Sequence, residues 1–194
     1  MFEFEKETVA TRVSAALPMI LEENRRLEEQ LSADEIAAVV LLMQQANSIF
    51  VIGAGRTGLM MKAAAMRLMH LGFTVYVAGE TTTPAIQKGD LLLAASGSGT
   101  TSSIVKAAEK AQATGAQVVA ISTTTQSPLA AIADTILLIP AAQKQDFNGT
   151  ISQQYAGSLF EQSVLLVTDA IFQSIWTLSN LPAEEIWKQH ANME

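Results

Sequence analysis

From residue 49 onward the chain alternates short apolar runs with segments of helical spacing. IFVI (49–52), TVYV (74–77), DLLLAA (90–95), QVVAIS (117–122) and TILLI (135–139) are continuously apolar, the pattern of strands buried on both faces. Between them, Thr57 to Leu71 and Thr100 to Thr114 have helical composition, and each ends before a glycine, Gly72 or Gly115, placed as a C-terminal cap. Further on, Phe160, Val164, Val167, Ile171, Ile175 and Leu178 recur at steps of three and four and predict a long helix covering the sheet. Ahead of the first strand, residues 3–47 read as two helices. The first carries the charged face EENRRLEEQL, and Ser32-Ala33-Asp34-Glu35 forms a capping box into the second. The apolar second half of that helix is expected to bury against the sheet or another subunit. The pattern predicts an α/β three-layer sandwich with a five-stranded, mostly parallel, doubly wound sheet flanked by helices. Residues 1–48 form an N-terminal helical extension to a domain spanning 49–194.

Composition narrows what such a domain can do. Of 194 residues, 49% are hydrophobic and 16% charged, so the chain can bury a core and is not a disordered segment. It contains no cysteine, which removes disulfides, thiolate nucleophiles and zinc–thiolate sites from consideration. The net charge of −7 argues against nucleic acid or an anionic membrane as partner, since both require a basic footprint. A small anionic ligand remains possible if helix N-termini and one or two cations hold it locally. The start, MFEFEKETVATRV, has no basic segment followed by an apolar core, and no apolar stretch reaches about 18 residues, so a cytoplasmic protein is expected. Asn148-Gly149-Thr150 then reads as an Asn-Gly turn, not as a glycosylation acceptor.

Two turns hold the candidate chemistry. Gly53-Ala54-Gly55-Arg56-Thr57-Gly58 follows the first strand and opens a helix, so its N–H groups and the helix dipole face an anion. It also fits a dinucleotide fingerprint, with Glu80 after the second strand where a ribose-binding acid would stand. Ser96-Gly97-Ser98-Gly99-Thr100-Thr101 occupies the corresponding turn after the third strand. Its hydroxyls and backbone donors suit the oxygens of a phosphate monoester, although a Ser/Gly loop that merely caps a helix has the same composition. The polar stretch AAQKQDFNGTISQQYAGS before the long helix exceeds the usual connection of about 4–6 residues, as loops lining active sites often do.

SGSGTT together with GAGRTG resembles the sugar isomerase (SIS) domain family, in which the Ser/Thr-rich loop holds a sugar phosphate. GAGRTGLMMKAAAMRLMHLGF, GETTTP, SGSGTT, GSLFEQ and HANME, in that order, are similar to the 6-phospho-3-hexuloisomerases over about residues 49–194. That resemblance implies interconversion of 3-hexulose 6-phosphate and fructose 6-phosphate in the ribulose monophosphate pathway of formaldehyde assimilation or detoxification. No metal or organic cofactor is implied, and a homo-oligomer, a tetramer, is. One departure is visible: related loops often carry a glutamate where this chain has Thr100, so no role requiring an acid at that position is expected.

On this resemblance Arg56 contacts the substrate, beside a phosphate site made by Ser96, Gly97, Ser98, Gly99, Thr100 and Thr101. Gly55, Glu80 and Thr83 are possible sugar contacts, although a polar turn ended by Pro84 explains the last two nearly as well. Glu161 would by itself read as the far end of a Ser158–Glu161 capping box. The resemblance makes it the proton acceptor instead. His190, in HANME, corresponds to the family's terminal histidine and would act in ring opening or on the enediolate oxygens, most easily by reaching a neighbouring subunit. His70 and the surrounding methionines read as packing. Two other functions fit the motifs: an NAD(P)-binding oxidoreductase and a non-catalytic sugar-phosphate sensor.

Overall fold

The continuous apolar runs become neighbouring strands: β1 (Ile49–Gly53), β2 (Val75–Val77), β3 (Leu91–Ala95), β4 (Gln117–Ser122) and β5 (Thr135–Leu138). The computed structural model describes residues 3–147, 149 and 151–193. Asn148 and Thr150 of the expected Asn-Gly turn lie outside the described residues. The five strands form one sheet in the order β2-β1-β3-β4-β5. Every adjacent pair is parallel, with Ile49 opposite both Val75 and Leu91, Leu91 opposite Gln117, and Val119 opposite Thr135. The sheet is thus wholly parallel, and its central strand β3 is buried along its entire length.

Among the described residues, seven helices accompany it: α1 (Lys6–Glu28), α2 (Ala33–Gln45), α3 (Gly55–His70), α4 (Ser102–Thr114), α5 (Pro128–Ile132), α6 (Ser158–Ser179) and α7 (Ala183–Trp187). Alternation along β1 separates two cores. Ile49 and Val51 pack with residues of α1, α2, α3 and α6, whereas Phe50 packs with residues of α4 and α5. Three layers follow. The short helix α5 was not anticipated, although Ser127-Pro128 is a good start signal: Ser127 caps the Ala130 N–H at 3.1 Å and proline takes the first helical position. Leu178, expected in the buried stripe of α6, is 74% exposed because it belongs to the last turn before Asn180 ends the helix.

Half of the predicted capping box at α2 forms. Ser32 Oγ accepts from the Glu35 N–H at 3.2 Å, but the Glu35 carboxylate turns outward to accept from the Leu138 N–H of edge strand β5 at 2.9 Å. The apolar half of α2 does face the sheet, with Val39 and Met43 buried. Helix α1 contrasts with it, leaving Val9, Val13, Leu17 and Leu21 exposed in one row. Helices α3 and α6 lie side by side in the same direction: Arg56 meets Glu161 near their starts, and Arg67 faces Asp169 and the Phe172 ring farther along. Among the described residues no helix is long and apolar enough to cross a membrane.

Candidate active site

The chain leaves β1 toward β2 on one side of the sheet and builds β3, β4 and β5 on the other. The crevice at the carboxyl ends of β1 and β3 is where a parallel sheet takes its ligand. A cavity of about 460 Å³ opens there, within the range of roughly 300–1,000 Å³ for small-molecule sites. Ala54 and Thr57 border it from the turn after β1, Ser96, Gly97, Ser98, Thr100 and Thr101 from the turn after β3, and Gln143, Lys144, Gly157 and Phe160 from the connection into α6.

The first turn is a packing device. A Cβ on Gly58 would lie 2.6 Å from the Gly53 carbonyl oxygen, so strand end and helix start touch through backbone. Gly55 and Arg56 do not border the cavity. Arg56 Nη1 instead donates to Glu161 Oε2 at 3.1 Å, from a half-exposed guanidinium to a carboxylate that is only 8% exposed. The capping box proposed for Ser158 and Glu161 does not form. Ser158 Oγ donates to the Tyr155 carbonyl, Gly157 is the N-cap, and the carboxylate is taken by Arg56.

The second turn is held from behind. The Gly97 carbonyl accepts from the Thr123 N–H at 3.1 Å, Thr123 Oγ1 at 2.7 Å and Ser122 Oγ at 3.2 Å, while the Gly99 carbonyl accepts from the Leu129 N–H. Gly99 has a left-handed backbone at φ +63°, lies against Ser127 and does not itself border the cavity. Ser96 and Thr101 share a hydroxyl hydrogen bond of 3.0 Å, and Ser98 and Thr100 one of 2.9 Å. Thr101 therefore spends its side chain on Ser96 and leaves the start of α4 uncapped. Helices α3 and α6 also begin without a side-chain cap, at Ala54 and Gly157. All three N-cap residues border the cavity, so three sets of unsatisfied N–H groups and three dipole ends converge on it. By contrast, α2 and α5 are capped by their own serines, and the uncapped α1 and α7 start on exposed surface.

The connection into α6 is anchored by a residue that sequence reasoning missed. The Glu23 carboxylate on α1 accepts from Ser152 Oγ at 2.6 Å, the Gln153 N–H at 2.7 Å and Gln154 Nε2 at 3.0 Å. Next to it, Asn24 Nδ2 donates to Gln162 Oε1 at 2.7 Å, and Gln162 Nε2 donates to Gln154 Oε1 at 2.8 Å. Burial pushes the Glu23 carboxyl up, but the hydrogen bonds from Ser152, Gln153 and Gln154, with Arg26 nearby, outweigh it and hold the group below the usual carboxylate range. Within EENRRLEEQL nothing distinguishes this glutamate from its solvated neighbours.

The remaining candidates stand elsewhere. Glu80 pairs with Lys62 at 2.5 Å, and Thr83 Oγ1 donates to the Val77 carbonyl at 2.6 Å; both border a separate cavity of about 230 Å³. The acid that a dinucleotide site would use on a ribose is thus engaged by a lysine. His190 is sandwiched between His70 and Trp187, with ring centroids 4.1 and 4.2 Å away. His70 ends the 16-residue helix near whose start Arg56 stands, so His190 lies roughly 21 Å along the helix axis from the Arg56–Glu161 pair. Burial lowers the pKa of His70 below its ordinary value, helped by His190 and Arg67.

A parallel α/β sheet whose switch point carries uncapped helix starts and a hydroxyl-rich turn is built to hold a small phosphorylated ligand. Residues 42–166 match the SIS domain, and the chain belongs to that family. It is 50% identical over 188 residues to the 3-hexulose-6-phosphate isomerase of Mycobacterium gastri, covering 97% of this chain and 94% of that protein. With the 3-hexulose-6-phosphate isomerase of Bacillus subtilis it shares 40% identity over 163 residues, 84% of this chain and 86% of the relative. A crystal structure of a Methanococcus jannaschii protein, inferred to be a 3-hexulose-6-phosphate isomerase, superposes with a TM-score of 0.80 at 30% identity, covering 93% of this chain and 99% of that one.

Proposed function

We propose that the protein is an isomerase interconverting D-arabino-hex-3-ulose 6-phosphate and D-fructose 6-phosphate in the ribulose monophosphate pathway. The observation that carries this reading is the likeness, over nearly the whole chain, to the M. gastri enzyme of that name. The site supplies parts the reaction needs. The sugar phosphate sits among Ser96, Gly97, Ser98, Thr100 and Thr101 at the open start of α4, where N–H groups without intrahelical acceptors receive its oxygens. Glu161 takes the C2 proton of the 3-ketose, the electrons form a C2–C3 enediolate, and the proton returns at C3 to leave the carbonyl at C2. Arg56 aims the carboxylate in the resting site and stabilises charge on the enediolate oxygens during turnover.

The active form is a homo-oligomer, a tetramer, in the cytoplasm. The apolar row Val9, Val13, Leu17 and Leu21 on α1 supports a covered face. The position of His190 at the far end of α3 supports its serving a neighbouring subunit's cavity rather than its own. Fructose 6-phosphate incubated with the enzyme in deuterated water tests the chemistry. Deuterium at C3, lost in Glu161→Gln, is expected. Binding of the sugar phosphate with no exchange in either protein would leave a sensor and reject the isomerase.

A further inference from the structure

We infer that Lys144 is a further substrate-binding residue, the fixed positive charge that selects a phosphorylated sugar over a neutral one. The inference rests on the isomerase reading of the cavity and adds to it a residue from a different part of the fold. A phosphate monoester carries a charge of about −1.5 to −2 near neutral pH, and a helix start supplies about half a positive charge. Three helix starts alone barely meet a dianion, and the chain's net charge of −7 works against them. A local cation is therefore required.

Arg56 does not meet that requirement in the resting site, because its guanidinium is taken by Glu161 and it does not border the cavity. Among the described residues that border the cavity, Lys144 is the only cation, and no carboxylate there is paired with it. Its stem is placed by packing. A Cβ on Gly157 would lie 3.3 Å from Lys144 Cγ and 3.8 Å from Cε, so the methylene chain lies over the uncapped start of α6. Lys144 thus stands beside one of the three helix starts and borders the same cavity as the hydroxyl turn. Glu23 holds the same connection a few residues farther on, through its bonds to Ser152, Gln153 and Gln154. A lysine on an untethered loop would lose most of its effect to conformational freedom and screening; this one packs its stem on Gly157 and follows Gln143, whose Nε2 donates to Thr123 Oγ1 at 3.2 Å.

The test compares wild type, Lys144→Gln and Lys144→Arg in two measurements. In the first, inorganic phosphate is titrated calorimetrically at low and at moderate salt. Lys144→Gln is expected to weaken phosphate binding by roughly tenfold and to flatten its salt dependence, with Lys144→Arg close to wild type. In the second, KM for hexulose 6-phosphate should rise by a similar factor in Lys144→Gln while kcat changes little, since the charge binds ground state and transition state alike. Equal phosphate affinity in wild type and Lys144→Gln overturns the inference. Phosphate binding is read independently of turnover. A wild type that binds phosphate but does not isomerise would sink the isomerase reading, and loss of that binding in Lys144→Gln would still assign the charge to Lys144.

Discussion

The two ends of α3 are built on opposite plans. At its start the helix is uncapped, touches β1 through Gly53 and Gly58, and presents an ion pair between a half-exposed arginine and a buried glutamate, near an open polar cavity. At its end the last side chain, His70, is buried against His190 in a stack closed by Trp187, and the Nδ1 atoms of both histidines have no hydrogen-bond partner. One end leaves donors open for a ligand. The other is filled with stacked aromatic surface. Yet the two residues that the family resemblance assigns to one reaction, Glu161 and His190, are divided between these ends. In this fold they stand apart along the length of α3, so a site using both would draw on two chains.

The largest expected effect tests that division. Glu161→Gln should lower kcat by about 10²–10⁴ with the fold intact, as removal of a general base does. His190→Ala should lower it less. If the site is shared, mixing the two variants under conditions that exchange subunits restores activity well above the sum of the parts. No recovery, with subunit exchange verified by mass spectrometry, would confine each site to one chain.

Next in size is Gly58→Ala, which drives a methyl group into the Gly53 backbone and should cost about 1–3 kcal/mol in a denaturant melt. An unchanged melt would mean that the strand end yields freely. Arg56→Ala should cost about 1 kcal/mol, because it strands a buried carboxylate that water reaches only where the half-exposed guanidinium stood. Arg56→Lys should recover part of that loss.

The smallest effect belongs to the closed end. Folded His70 binds its proton less readily than the unfolded chain, whose histidine titrates near 6.5. Stability is therefore insensitive to pH above that value and falls as pH drops below it, because the unfolded state gains more protons. Between about pH 7.5 and about pH 5.5 the Tm of wild type should fall more than that of His70→Phe, which keeps a ring in the stack without titrating. Parallel curves would show that His70 does not govern the acid response.

Much of the architecture was legible because burial is written into local pattern. Continuous apolar runs located all five strands, and the glycines at 72 and 115 marked where α3 and α4 stop. Both turns that border the cavity were visible as motifs, since the residue types suited to a helix start are few. The parts that were not legible depend on partners distant in the chain. Ser158 and Glu161 satisfy a local capping rule, yet the carboxylate is claimed by Arg56, 105 positions away. Glu23 and Ser152 are separated by 129 positions, and neither carries a mark of the other.

The sequence by itself determined the strands, the order of strand and helix, and the hydroxyl turn, because hydrophobic period, backbone permissiveness and helix-end chemistry act over a few residues. Only the tertiary structure decided that three helix starts share one cavity, that Arg56 is committed to Glu161, that Lys144 borders that cavity, and that His190 stacks on His70 at the far end of α3. Those outcomes are set by which elements pack together, and packing joins residues by distance in space, which local pattern does not record.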